Sequence, residues 1–154
     1  MFATILMQLW DNSAAQAELK YQGERTIRAQ LLEFLQRKMR MLCDPDFIDL
    51  ARVAVAATIH APDRAREMVE RLSQPEEGIA SWIRAAQADG KLKPGDPVLI
   101  GALLQGQLKS MAFWPQVAMG QAQLNEAQQQ QVIEMTLEMF LLYQQTAIAS
   151  VAEK

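Results

Sequence analysis

The sequence predicts an all-α fold of about six helices. Three observations predict it. Apolar residues recur at helical spacing, as in Ile27, Leu31, Phe34, Leu35, Met39 and Leu42. Asp44-Pro45 and Asp96-Pro97 each place a capping acceptor before the residue best suited to a helix's first position. The β-branched residues Val53, Val55 and Ile59 could mark a short buried strand, but they stand among alanines 51, 54, 56 and 57, which favour helix.

Taken in order, residues 2–19 form an amphipathic helix with Phe2, Ile5, Leu6 and Leu9 on one face. Its apolar rhythm begins at once, with no cap before it, as in a chain from which an upstream part has been removed. Gly23 breaks the pattern, and residues 24–42 follow as a second helix. Arg28, Arg37, Lys38 and Arg40 lie mostly off its apolar face, as a solvated face or an anion patch. Residues 45–60 are apolar nearly all round, so this helix is expected at the centre, buried on all sides. Pro62 closes it and opens a short charged helix to about Leu72. Ser73 and Glu76 have capping-box spacing before a helix carrying Ile79, Trp82, Ile83 and Ala86, with Gly90 at its end. After a turn-rich link over 91–95, Asp96-Pro97 starts a helix expected to run to about Trp114, where Pro115 stops it. Residues 115–124 are expected as loop, and Asn125 caps a last helix to about Ala149.

At 154 residues the chain makes one domain, residues 1–154, with enough length for a real core. A net charge of -3 gives no global attraction to nucleic acid. One cysteine excludes an intramolecular disulfide and fits a cytoplasmic location. The N-terminus lacks a basic segment and a cleavage site, so no secretory signal is expected. No run reaches the roughly 20 apolar residues of a membrane span.

No catalytic constellation stands out, and the chain is read as a non-enzyme without metal or cofactor. A single histidine excludes a multi-histidine metal site. Cys43 and His60 bracket the 45–60 helix and have no third residue to support a nucleophile pair. Cys43 at a helix boundary near basic residues is either a redox switch or a small buried side chain.

Charge is unevenly spread. Between Pro97 and Asn125 the only charged residue is Lys109. The last helix has two apolar faces: Ile133, Leu137, Phe140 and Leu141 on one, Val132, Met135, Met139 and Leu142 on the other. One domain covers one face; the second asks for a partner. A homodimer is expected through Leu99, Ala102, Gly106, Ser110 and Phe113 of one helix and Met135, Met139 and Leu142 of the other. An apolar pocket beside the 45–60 helix would be lined by Phe47, Ala51, Val55, His60 and Trp82, with Arg52 holding a ligand's polar end or an internal acid such as Asp49.

Four segments resemble the effector domain of TetR/AcrR-type transcriptional regulators, particularly the AefR-like branch. Asp44–Ala57 is similar to the family's buried helix: Arg52 matches its arginine, while Ala57 stands near the place of its glutamate. His60-Ala-Pro-Asp-Arg-Ala-Arg-Glu resembles its proline-led helix. Ser81 to Pro97, a helix followed by Gly, Leu and Asp-Pro, is the closest match. Leu103-Leu-Gln-Gly-Gln-Leu resembles the start of its dimerisation pair. The resemblance implies a sensing and dimerisation domain, the last two helices pairing with their copies in a four-helix bundle. It implies a homodimer, a small apolar or amphipathic effector, and repression in the full-length form. DNA would be reached only through a helix-turn-helix domain that this chain lacks. The alternative is a head-less helical module that heterodimerises with a full-length regulator or another partner.

Overall fold

The computed structural model describes residues 19–64, 66–67 and 78–152, with 146–152 described by backbone alone. Among these, all regular structure is helical: α1 (Ile27–Leu42), α2 (Pro45–His60), α3 (Ile79–Ala88), α4 (Pro97–Ala112), α5 (Trp114–Met119) and α6 (Glu126–Ala152). Residues 62–64 and 66–67 are helical as well. The helix expected over 2–19, except its last residue, the Ser73/Glu76 capping pair and the end of the charged helix lie outside the described residues.

The helix ends follow from local chemistry. Thr26 rather than residue 24 starts α1, its hydroxyl accepting from the Ala29 N–H. Asp44 accepts from the Asp46 N–H, and Asp96 from those of Val98 and Leu99; Pro45 and Pro97 need no partner in these first turns. Asn125 and Gln128 exchange side-chain-to-backbone hydrogen bonds of 2.8 and 3.0 Å, a reciprocal cap for α6. Gly90, at φ 75°, takes the left-handed position after α3, and the Lys91 N–H reaches back to the Ala86 carbonyl. The stretch expected as a loop after Pro115 instead holds α5. Pro115 lies in α5's first turn, where its missing N–H is no loss, so it begins a helix there rather than only ending one.

α4 packs against α1, α3, α5 and α6, and α1 against α2, α4 and α6. These two helices therefore hold the centre. α2, expected there, packs among the described residues chiefly on α1 and α5 and leaves Val53 and Ile59 exposed. The reason is area. Alanines make α2 apolar in count but offer little surface to bury, whereas α1 supplies Leu31, Phe34, Leu35, Met39 and Leu42, all buried.

Two features fix the frame. Gly101 of α4 is buried against α3, where an added Cβ would lie 2.9 Å from the Ile79 Cγ2. At the start of α1, buried Gln30 accepts from the Trp82 indole N–H at 3.1 Å and from the Gln22 N–H at 2.8 Å. Its amide nitrogen donates to the carbonyls of Gln22 and Arg25. One side chain thus ties the entry loop to both α1 and α3, satisfying polar groups that burial would otherwise penalise.

Candidate functional site

The polar and aromatic groups that packing brings together lie where α2 meets α5 and the end of α4. The rings of Phe47 and Phe113 are 6.1 Å apart and tilted at 47°, and Trp114 meets Phe113 edge-on at 4.9 Å. Gln116 of α5 is buried. Its amide nitrogen donates to the carbonyls of Met111 and Ala122 at 3.1 and 3.3 Å. Among the described residues its Oε1 is buried with no hydrogen-bond partner, so an acceptor stands ready for a donor there. The Arg52 guanidinium donates to the Gln116 backbone carbonyl at 2.8 Å and lies 3.5 Å from Asp49, half in solvent.

Two lysines, one on α1 and one on α4, are withdrawn from solvent. Lys38 stands on α1 between Phe34, Leu35, Met41 and Leu42, and only 3% of it is exposed. Burial, and then the charge of Lys109, push its ammonium down from 10.5 to about 8. Lys109 on α4 is half-buried, its own value lowered by burial, with its Nζ 5.8 Å from the Phe113 ring centre.

Among the residues expected to line a pocket, Phe47 and Ala51 are buried and Val55 is half-buried on α2, while Arg52 is on its outer side. His60 is exposed at the far end of α2. Trp82 is buried elsewhere, hydrogen-bonded to Gln30 and edge-on to Tyr21 at 6.2 Å. Gln30 is at one end of α1 and Phe47 follows the other, a helix length of roughly 20 Å away. The structure therefore does not gather Trp82 with Phe47. Cys43 is half-buried, its Sγ 3.7 Å from the Met39 Sδ, and burial pushes its thiol up, away from redox reactivity. The anion patch, the alternative to a solvated face for this basic group, does not form as one surface. Arg28 pairs with Glu138 at 2.6 Å, while Lys38 turns inward.

A second feature faces outward. Val98, Leu99, Leu103 and Met111 of α4 and Met135, Met139, Leu142 and Tyr143 of α6 are exposed. The two helices pack together, and Ala102, Gly106 and Ser110 are exposed on α4 as well. An added Cβ at Gly106 would meet nothing within 4 Å. Phe113, expected on this face, turns inward against Phe47 instead. Lys38 and Gln116 were missed in the sequence. For Lys38 a signal existed: it falls at i+3 and i+4 from Leu35 and Phe34 and at i−3 and i−4 from Met41 and Leu42.

The described residues thus form a helical unit with a buried polar–aromatic region and an exposed apolar face. The sequence profile of the AefR-like transcriptional repressor C-terminal domain matches residues 29–144. A crystal structure of a TetR family transcriptional regulator from Pseudomonas syringae pv. tomato str. DC3000 is similar at 46% identity and a TM-score of 0.79, over 91% of this chain and 70% of that one. No curated protein matches. The chain belongs to the TetR family of transcriptional regulators, and its matched residues are those of an AefR-like C-terminal domain. That is a family of regulators, not a class of enzymes. Among the described residues no helix is long and apolar enough to cross a membrane.

Proposed function

We propose that this chain is the effector-sensing and homodimerising domain of a cytoplasmic TetR-like repressor. The observation that carries the reading is the exposed apolar face on α4 and α6. Eight large apolar side chains are exposed along two packed helices. Apolar side chains exposed in such number on two neighbouring helices are costly to leave in water, and a twofold pairing would cover them. In the parent protein, a small apolar or amphipathic molecule bound near Phe47, Ala51, Val55 and Phe113 would favour one of two dimer geometries. It would thereby change the spacing of the DNA-reading heads.

Light scattering at micromolar concentration tests the dimer. The wild-type chain is expected at twice the protomer mass. Gly106→Arg, which puts a bulky charge on the proposed contact where the protomer itself has open space, is expected to shift it towards monomer. A monomeric wild type, or a Gly106→Arg chain as tightly dimeric as the wild type, would overturn the reading.

A further inference from the structure

We propose that the link between α3 and α4, residues 89–95, is a conformational strap that ties the outward face of α6 to the entry of α1. Covering that face with a second copy then steadies the entry loop. This rests on the homodimer reading above.

The link is bonded within itself. The N–H groups of Lys91 and Leu92 reach back to the Ala86 carbonyl. The Gln87 amide nitrogen donates to the carbonyls of Lys93 and Gly95, both at 3.1 Å. Leu92 is buried in the core. Held at these points, the link shifts as one piece rather than as a free loop. Its first residues grip the entry loop. The Tyr21 hydroxyl donates to the Asp89 carboxylate at 2.5 Å. The Lys91 ammonium donates to the Gly23 carbonyl, 3.7 Å from Asp89 and 5.9 Å from the centre of the Tyr21 ring. Further along, the link grips α6. The Lys93 N–H donates to the buried Gln144 Oε1 at 2.8 Å, and the Lys93 ammonium lies 3.0 Å from the centre of the Tyr143 ring. Tyr143 is exposed with Met139, one turn before it, and Leu142. These are residues that a second copy would cover. A cation over a ring is held more strongly once water is excluded. Pairing therefore tightens the Lys93 end, and the bonded link carries the restraint to Asp89 and Lys91 and to the loop they hold. Asp89, Lys91 and Tyr143 are exposed, so their contacts open without unpacking the core. Such contacts can respond to pairing while the helices stay folded.

The test is amide hydrogen exchange of the full chain, read by NMR, with light scattering on each sample to give its mass. In the wild-type dimer the Lys93 and Gln22 N–H groups are expected to exchange about fivefold more slowly than in the Gly106→Arg monomer, the scale of desolvating one cation–π contact. Dilution of the wild type to its monomer makes the same comparison without a substitution. The Gln121 N–H, bonded to the Pro115 carbonyl after α5, lies outside this network and should not change. Lys93→Met keeps the backbone bond to Gln144 and removes the cation, so its dimer should lose the effect at both N–H groups. Tyr21→Phe should lose it at Gln22 alone. Circular dichroism checks that the variants fold. Exchange that is alike in dimer and monomer at either Lys93 or Gln22 would overturn the proposal and leave the homodimer reading standing. So would an equal change at Gln121, the mark of a general gain in stability, or an effect at Gln22 that survives Lys93→Met. A wild type that is monomeric throughout removes the homodimer reading and the proposal together.

Discussion

At the scale of single residues, the most informative side chain is Lys38. The apolar stripe of α1 runs through it, so the helix spends one of its best-buried positions on a charge. Folded, Lys38 gives up its proton at about 8; unfolded, it would do so near its ordinary 10.5. Between those values the unfolded chain binds more protons, so stability rises with pH across that window. The sign is that of a lowered folded value. The contribution is complete above the unfolded pKa and is lost as pH falls through the folded one. Lys38→Met removes this dependence. The variant is expected to be more stable than the wild type by about 1–3 kcal/mol near neutral pH. Its advantage should shrink as pH rises from about 8 to 10.5. Urea unfolding of both chains at several pH values checks it. A variant less stable than the wild type at neutral pH would mean that Lys38 is a structural asset. Sequence pattern classed Lys38 with a solvated basic group because residue type was weighed above position in the stripe.

At the scale of elements, local chemistry was legible and contact was not. Asp44-Pro45, Asp96-Pro97 and Asn125 mark three helix starts where the structure has them, because caps act within a few residues. Pro115 reads in sequence as a stop, although the same residue fits both the end of one helix and the first turn of the next. Periodicity sorted α6 into a buried face, with Ile133, Leu137 and Phe140, and an exposed one, with Met135, Met139 and Leu142. Which helices meet was not legible. That Trp82 bonds Gln30, or that α2 packs on α1 and α5, depends on the arrangement of the whole chain. The two glycines of α4 show the difference. Both lie in one helix, yet Gly101 faces Ile79 at 2.9 Å from an added Cβ and Gly106 faces open space. Gly101→Val is therefore expected to destabilise the fold by about 1–3 kcal/mol through overpacking against a branched side chain. Gly106→Ala is expected to be neutral or to stabilise by up to about 1 kcal/mol through helix propensity. Denaturant midpoints decide it, and the two glycines behaving alike would contradict the α3–α4 packing described above.

At the scale of the whole molecule, the question is where the protomer ends. The core draws on all six helices, but α4 and α6 also carry apolar side chains that the protomer leaves in water. If a second copy covers that face, folding and association are linked. The folded dimer and the two unfolded chains then differ in particle number, and dilution favours the unfolded side by mass action. Each tenfold dilution changes the equilibrium by about 1.4 kcal/mol per mole of dimer. Shared between two protomers of this size, that is a fall in melting temperature of about 2 °C per tenfold dilution. Scanning the wild type over a hundredfold range in concentration, about 1–100 μM, should therefore move its midpoint by about 4 °C. Gly106→Arg lies on the outward face, where an added Cβ meets nothing within 4 Å. It should melt lower than the wild type at the highest concentration, with a weaker dependence on dilution. A wild-type midpoint that stays fixed across the range would mean that the protomer is stable with its apolar face bare, and pairing would have no part in holding the fold.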